Sequence, residues 1–288
     1  MLSVSTRRHS AVQIASWNVN SVRTRLDQVL SWLETNQPDL LCLQETKVSD
    51  PQFPLKAFEA AGWRVSIHGQ KAYNGVAMVS REALEDVRCG FIGELPDDSE
   101  ATALSEQKRV ISARLDGVRV LNLYVPNGSG LKSEKYPYKL SWLACLRRYL
   151  DAQAERGEPL CMVGDFNIAM EARDIHDPDR LTGGIMASSA ERDALQAALG
   201  DRLQDVFRVF EPDSGHWSWW DYRTGAWDRD RGWRIDHIYL CDELLELARS
   251  CVIHKQERGN EQPSDHAPVS VELDWPPADE ADEEEPLI

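Results

Sequence analysis

The chain has 288 residues, of which 42% are hydrophobic and 28% are charged, and this composition predicts a folded globular protein with an ample core. No apolar run approaches the roughly 18 residues that a membrane-spanning helix needs, which excludes a helical membrane protein. The net charge of −16 argues against a nucleic-acid partner, because proteins that bind nucleic acids usually present a basic surface.

Two local features qualify the argument from charge. Residues 278–285, which read ADEADEEE, hold six acids and no base, and without them the net charge is −10. Basic residues also cluster at 132–139 and at 229–234. A positive surface of limited extent, sufficient to contact phosphates, therefore stays open as an alternative.

Strands and helices alternate along the chain. Hydrophobic periodicity predicts helices at 23–35, 138–156 and 190–199, and strands at 12–19, 40–43, 64–68, 76–79, 110–115, 118–124, 160–163, 234–240, 251–254 and 269–273. Asp116-Gly117 predicts a hairpin, and Ser188 with Glu191 predicts a helix N-cap. Strands joined partly by hairpins favour an α/β fold in which two mixed sheets pack together under flanking helices.

The folded part is predicted to be one domain, residues 12–275, between an N-terminal tail at 1–11 and a disordered acidic tail at 276–288. The first residues, MLSVSTRRHS, lack the apolar stretch of a signal peptide, so we expect a cytoplasmic protein that is monomeric and binds no membrane. The six cysteines are scattered, and Cys42 and Cys161 fall inside predicted strands. We interpret them as reduced core residues and not as disulfides or zinc ligands.

Polar side chains stand where the predicted strands end. The segment LCMVGDFNIA shows the pattern most clearly, with Asp165 and Asn167 directly after a buried strand. Any one such group is also explained as a strand-terminating turn, but their repetition in order along the chain favours an active site on a sheet edge. The other members of the set are Asn18, Asn20, Glu45, Tyr124, Asp236, Asp265 and His266.

The residue types in this set suit phosphoester hydrolysis. Glu45 in LQETK offers the carboxylate oxygen that Mg²⁺ prefers, and the alternative is a surface glutamate at a strand end. Lys47 either restrains Glu45 or touches substrate, and the alternative is a solvated lysine. Asp165 is able to orient or deprotonate a water, while the amide of Asn167 and the hydroxyl of Tyr124 are able to donate to an anionic oxygen. The chain lacks GxSxG and GxxxxGK[ST], so serine hydrolase and P-loop enzymes have no support.

His266 follows Asp265 directly, and Asp236 lies earlier in the chain. A carboxylate beside a histidine orients the ring and favours its charged form. His266 is then either an imidazolium that stabilises a phosphate or an imidazole that acts as a base, and a purely structural His–Asp pair is the alternative.

An aromatic and basic segment, HWSWWDYR followed by AWDRDRGWRID, precedes the last strands. Aromatic rings interleaved with arginines suit stacking on bases or sugars and contacts to phosphates. The alternative is that half of these rings belong to the core. The rings are Trp217, Trp219, Trp220, Tyr222, Trp227 and Trp233.

The motifs WNVNS, LQETK, YVPNG, GDFNIA, DYR, RGWRID and SDHAPV occur in this order between about residues 12 and 273. In this respect the chain resembles the exonuclease III family of abasic-site endonucleases, within the endonuclease/exonuclease/phosphatase superfamily. GDFN and SDH are shared across the superfamily, whereas DYR and RGWRID are more specific to its DNA-repair branch. The resemblance implies a four-layer α/β sandwich of two packed mixed β-sheets flanked by helices.

The resemblance also implies the activity, the metal and the partner. It implies Mg²⁺-dependent incision of duplex DNA 5′ to abasic sites, with Mn²⁺ as the alternative ion, and often 3′-to-5′ exonuclease and 3′-end-trimming activity on blocked 3′ ends. Glu45 would hold the metal with Asn18 beside it, and Asp265 would support the metal or His266. Asp165 would position or activate the attacking water, and Asp236 would pair with His266. Asn167, Tyr124 and His266 would contact the scissile phosphate, and the residues expected to bind substrate are Lys47, Arg223, Trp219, Trp233 and Ile235.

Two other functions remain as alternatives. A superfamily phosphatase or phosphodiesterase acting on lipid head groups, inositol phosphates or nucleotides is favoured only by the acidic charge, and the Trp/Arg segment argues against it. A non-catalytic DNA-binding relative would be expected to lose Glu45, Asp165 or His266, and all three are present.

Overall fold

The computed structural model describes residues 11–276. It contains eight α-helices in that range: α1 Leu26–Asn36, α2 Leu55–Ala60, α3 Ser99–Ser105, α4 Lys135–Ala154, α5 Pro178–Leu181, α6 Ser189–Leu199, α7 Val206–Phe210 and α8 Asp242–Glu246. The same range contains twelve strands: β1 Val12–Asn18, β2 Leu40–Gln44, β3 Arg64–His68, β4 Val76–Ser80, β5 Glu85–Cys89, β6 Val110–Leu115, β7 Val118–Tyr124, β8 Leu160–Asp165, β9 Gln204–Asp205, β10 Asp236–Leu240, β11 Ala248–Ile253 and β12 Val269–Leu273.

The strands form two six-stranded mixed sheets. The first has the order β11-β12-β1-β2-β4-β3 and the second the order β5-β6-β7-β8-β10-β9. Each sheet contains one parallel pair near its centre, β1 with β2 and β7 with β8. Because β12 lies beside β1, the end of the chain completes the sheet that its beginning started.

Three apolar clusters separate four layers. Between the sheets, Ile14 and Cys42 of the first sheet pack with Val120 and Cys161 of the second. On the outer side of the first sheet, residues of α1 and α2 such as Trp32 cover β1 and β2. On the outer side of the second sheet, α3, α4 and α6 cover β7 and β8. The predicted four-layer α/β sandwich is confirmed.

Most predicted elements agree with the structure. Strands 64–68, 110–115, 118–124 and 269–273 have the predicted bounds. Ser188 caps α6 in a reciprocal capping box with Glu191, as predicted. Helix α1 begins three residues later than predicted and α4 begins three residues earlier, and β5 and β9 were not predicted. Strand β5 is a half-exposed edge strand and β9 has two residues, so neither carries the apolar alternation that marks a strand.

Cys42 and Cys161 are buried and free, in agreement with the interpretation as reduced core residues, and the other four cysteines in residues 11–276 are also free. None of the helices described here is long and apolar enough to cross a membrane. The predicted tails, 1–11 and 276–288, lie outside the described residues except for Ala11 and Pro276, and the predicted domain bounds stay a prediction.

Candidate active site

The parallel pairs bring the polar groups to one edge of the sandwich. Strands β1 and β2 run in the same direction, so Asn18 and the residue after Gln44, Glu45, emerge together. In the second sheet Tyr124 pairs with Asp165, and Asp165 pairs with Asp236 at the start of antiparallel β10. The predicted juxtaposition of strand ends is therefore present.

Residues from both ends of the chain close this edge. The indole Nε1 of Trp17 donates to the carbonyl oxygen of His266 over 3.1 Å, and Ser264 Oγ donates to the carbonyl oxygen of Asn18 over 2.6 Å. Asn20 Nδ2 donates to Asp265 Oδ1 over 3.0 Å. The segment SDHAPV is thus hydrogen-bonded to the segment WNVNS.

Glu45, Asp165 and His266 form the cluster best suited to a metal. One ligand atom of each residue lies within 4.8 Å of the others. Asn18 Nδ2 donates to Glu45 Oε1 and to Asp165 Oδ2, each over 2.8 Å. Two carboxylates held this close fit Mg²⁺, which takes few carboxylate ligands and otherwise keeps waters.

Asn18 and Asp265 are the other residues expected near the metal. The amide nitrogen of Asn18 donates to both carboxylates of the cluster, and its Oδ1 accepts from Asn20 N. The oxygens of Asp265 accept from Asn20 and from Trp219 Nε1. Lys47 Nζ lies 2.7 Å from Glu45 Oε2, which agrees with the expected restraint of Glu45.

His266 links two carboxylates. Its Nδ1 lies 2.9 Å from Asp236 Oδ2, as the resemblance implies, and its Nε2 lies 3.8 Å from Asp165 Oδ2. Burial lowers the pKa of His266, but the carboxylates of Asp236 and Asp165 outweigh burial and raise that pKa to about 10. The ring is therefore an imidazolium at neutral pH.

Asp165 is fully enclosed. Burial raises its pKa to about 7; His266 opposes this shift, and Asp236 and Glu45 add to it. Burial also raises the pKa of the Tyr124 hydroxyl well above its ordinary value, with Glu45 adding to the effect. Tyr124 consequently keeps its proton and is able to donate a hydrogen bond.

Asn167 stands in the left-handed region, with φ of 50°, directly after β8. Its Nδ2 donates to Asp165 Oδ2 over 3.1 Å and to the carbonyl oxygen of Val125 over 3.0 Å. Its Oδ1 accepts from Asn127 Nδ2 over 2.8 Å. The predicted pair of Asp165 and Asn167 therefore projects into the same cleft.

A cleft of about 800 Å³ lies beside His266. Trp219 and Trp233 line it, and isolated bridges join Trp219 to Trp233 and to His266. Ile235 is buried beneath it, packed with Trp233. Its wall also carries His176, Met186, Arg180, Arg229 and Arg231. The expected location of Trp219 and Trp233 beside the reactive cluster is present, whereas Arg223 is exposed and ion-paired with Asp221.

Half of the rings in the aromatic segment belong to the core, as the alternative interpretation stated. Trp217, Trp220 and Trp233 are buried, whereas Tyr222 is 48% exposed and Trp219 and Trp227 are half-buried. The rings therefore divide between core and surface.

Two cations assigned to basic surface clusters are instead buried. Lys139 is fully buried and pairs with Glu191 over 2.6 Å. Arg234 is buried and pairs with Asp174 over 2.7 Å and Asp205 over 2.6 Å. Their partners lie 29 to 60 residues away in sequence, so local composition did not reveal them.

Sequence reasoning also missed residues that support the cluster. Ser218 Oγ donates to Asp236 Oδ2 over 2.6 Å and accepts from the backbone N–H of Asp236 over 3.0 Å. Nothing in the segment HWSWWDYR distinguishes this serine. Asn127, which donates to Asn167, is part of the motif YVPNG. Its position shortly after the end of a predicted strand is the signal that could have identified it.

Residues 15–266 match the Endonuclease/Exonuclease/phosphatase family, the class of enzyme to which this fold and site conform. The chain is 35% identical over 274 residues to exodeoxyribonuclease III of Haemophilus influenzae, covering 91% of this chain and 100% of that protein. It is 41% identical to the 3′ phosphatase NExo from Neisseria bound to a product DNA hairpin, with a TM-score of 0.86 and coverage of 92% and 100%. It is 38% identical to an AP endonuclease from Archaeoglobus fulgidus, with a TM-score of 0.85 and coverage of 91% and 99%.

The chain therefore belongs to the exonuclease III/AP endonuclease family and is a DNA-repair nuclease. The family is typically metal-dependent, in agreement with the cluster of Glu45, Asp165 and His266.

Proposed function

We propose that this enzyme uses Mg²⁺ to incise duplex DNA 5′ to abasic sites, and that it also trims blocked 3′ ends and removes nucleotides from them. The observation that carries the proposal is the position of the Glu45–Asp165–His266 cluster beside the Trp219–Trp233 cleft, where Trp219 bridges to His266. The cluster supplies groups for hydrolysis, and the aromatic walls suit a sugar that lacks its base. Relatives described as an AP endonuclease and as a 3′ phosphatase support both activities.

Asp165 is assigned the attacking water. Its carboxylate is buried next to His266 Nε2 and is placed to accept a proton from a water at the scissile phosphate. The water attacks phosphorus, its proton passes to Asp165, and the bond from phosphorus to the 3′ oxygen of the preceding nucleotide breaks. The departing oxygen takes a proton from solvent, so the products are a 3′ hydroxyl and a 5′ phosphate on the abasic sugar.

The scissile phosphate gains negative charge in this step. The His266 imidazolium, held by Asp236, supplies positive charge, and the hydroxyl of Tyr124 supplies a hydrogen-bond donor. Preorganised donors of this kind stabilise a transition state more than a ground state. Asn167, which is bonded to Asp165, and Lys47, which pairs with Glu45, are also proposed to contact the phosphate.

Glu45 and Asp165 would hold the metal ion, with Asn18 fixing the spacing of their oxygens. When bound, Mg²⁺ neutralises charge on the phosphate as a Lewis acid. The chemistry of this oxygen donor set admits Mn²⁺ as well.

The test compares two duplexes of one sequence, of which one contains a single tetrahydrofuran abasic analogue and the other is intact. With Mg²⁺ we expect incision of the first duplex only, and loss of the reaction with EDTA. A third duplex with a 3′ phosphate measures end trimming. The Asp165→Asn variant is the control for a contaminating nuclease, and we expect its rate to fall by on the order of 10²-fold or more.

Hydrolysis of inositol phosphates or nucleotides with the abasic duplex left whole would contradict the DNA assignment. Release of the 3′ phosphate without incision would restrict the function to 3′ ends.

A further inference from the structure

Lys139 is the one lysine of residues 11–276 whose side chain is fully buried. It lies on α4, outside the reactive cluster, and its Nζ donates to Glu191 Oε1 over 2.6 Å. The same Nζ donates to the carbonyl oxygen of Asn167 over 2.7 Å and to that of Asn127 over 3.3 Å. An ammonium group has three N–H donors, and all three have acceptors here.

The two carbonyl acceptors belong to the loops that follow β7 and β8. Asn127 follows β7, Asn167 follows β8, and their side chains are bonded to each other over 2.8 Å. Asn167 stands at φ of 50°, a conformation that asparagine tolerates but that needs fixing by its surroundings. The ammonium group of Lys139 is therefore hydrogen-bonded to the backbones of both loops.

Glu191 holds the ammonium group of Lys139 and is itself held by three hydrogen bonds. Its Oε1 accepts from Met186 N over 3.1 Å, and its Oε2 accepts from Ser188 N over 3.1 Å and from Ser188 Oγ over 2.7 Å. The carboxylate is thus both the cap of α6 and the anchor of Lys139. Met186 lines the aromatic cleft, so this ion pair connects the cleft wall to the two loops.

We propose that the Lys139–Glu191 ion pair is a positioning device that holds Asn127 and Asn167 in register with the scissile phosphate. The proposal rests on the proposed function for the identity of the substrate. Stability alone does not explain the pair, because a buried ion pair generally gains little over well-packed apolar side chains. Its contacts to two carbonyl groups beside Asp165 give it a geometric role.

The test uses Lys139→Met combined with Glu191→Gln. Methionine keeps the length of the side chain without the ammonium group, and glutamine keeps an oxygen for the cap of α6, so no uncompensated charge stays buried. The matched control is Leu195→Ala on α6, a buried residue whose loss loosens the packing of α6 in the outer core but removes none of the hydrogen bonds between the ion pair and the two loops.

We expect the double variant to lose on the order of 10-fold or more in kcat on the abasic duplex, with KM within about twofold of wild type, because the loops act on the transition state. Leu195→Ala should lower the melting temperature while keeping kcat. A double variant with wild-type kcat would overturn the proposal, as would an equal loss of kcat in Leu195→Ala. If the double variant does not fold, Glu191→Gln alone is measured against the same criteria.

Hydrogen exchange separates this inference from the proposed function. In the double variant we expect faster exchange of amides in 125–130 and 166–170 than in wild type, and no such change in Leu195→Ala. Unchanged protection of both loops would overturn the positioning role even if the wild type incises abasic DNA. Faster exchange in an enzyme that leaves abasic DNA whole would keep the positioning role and remove only the substrate.

Discussion

The carboxylates around His266 set the protonation state of its ring. His266 carries a proton at neutral pH because Asp236 and Asp165 outweigh the effect of burial. Its folded-state pKa lies above the ordinary value, so the stabilisation from the charged ring is complete at low pH and is lost as the pH rises through about 10. Asp236 in turn is held by Ser218.

Asp236→Asn should lower the pKa of His266, because it removes the carboxylate that raises this pKa most. The ring of the variant should therefore lose its proton at a lower pH than the ring of the wild type. We expect kcat to fall by on the order of 10²-fold, the scale of removing a charged group from the transition state. The measurement is an NMR titration of the His266 ring in metal-free protein, with kinetics alongside.

Asp151→Asn is the matched control, because Asp151 pairs with exposed Arg202 away from the cleft and not with His266. It should leave both the ring titration and kcat unchanged. A His266 ring that titrates alike in wild type and Asp236→Asn would show that this carboxylate does not govern its charge.

At the scale of single elements, β8 depends on its one glycine. Gly164 has φ of 152° and pairs with Leu123 of β7, and a Cβ added there would lie 2.0 Å from the carbonyl oxygen of Leu123. With this φ, a side chain at position 164 would point into the backbone of β7, just before Asp165.

Gly164→Ala should push β7 and β8 apart at the active site. We expect a loss of about 1–3 kcal/mol in the free energy of unfolding, typical of an overpacked core, together with a fall in kcat. Urea denaturation and incision kinetics measure the two effects. Gly130→Ala is the control, since nothing lies within 4 Å of its added Cβ, and wild-type behaviour of Gly164→Ala would refute the steric argument.

Arg234, just before β10, pairs with Asp174 in the segment before α5 and with Asp205 of β9. Burial raises the pKa values of Asp174 and Asp205, but Arg234 more than offsets burial and holds both below the ordinary range. The stabilisation from a lowered carboxyl pKa is present above the ordinary value and is lost as the pH falls through the folded-state value. This network should therefore weaken in acid.

Asp205→Asn should cost about 3–5 kcal/mol at neutral pH, the usual cost of breaking a buried ion pair. The difference from wild type should shrink below about pH 4, because Asp205 is then protonated in the unfolded wild-type chain while it is still charged in the folded protein. Urea unfolding as a function of pH measures it. Asp151→Asn, which breaks an exposed pair with Arg202, should cost less than about 1 kcal/mol at any pH, and an equal cost for both variants would contradict the prediction.

The sequence predicted elements well where one side of a strand or helix is apolar, as in β3, β6, β7 and β12. It also predicted Glu45, Asp165 and His266 as members of one site, because parallel strands deliver their ends to one edge. It failed for Lys139 and Arg234, whose carboxylate partners come from distant segments. Local composition reports the charge of a residue and not its partner.

At the scale of the whole molecule, the net charge of −16 opposes the approach of DNA. Six of the acids lie in 278–285, outside the described residues. Without those six acids the net charge is still −10, so the rest of the chain is acidic as well.

Deleting 278–288 should tighten binding to intact duplex at low salt, because it removes six negative charges that repel phosphates. The effect should shrink with added salt, since the Debye length is only about 8 Å at 0.15 M ionic strength. Measuring Kd against salt for both proteins tests this, and kcat on the abasic duplex should stay the same. Superimposable salt curves would leave the tail with a role in solubility alone.

The hydrogen bonds from Trp17 to His266 and from Ser264 to Asn18 have a consequence for when activity begins. The catalytic edge combines Glu45 with His266, which follows it by 221 residues (266 − 45) in the chain. A chain still being synthesised therefore lacks part of this edge until the residues around His266 have left the ribosome. Fragments that end before Ser264 lack His266 and should have no nuclease activity.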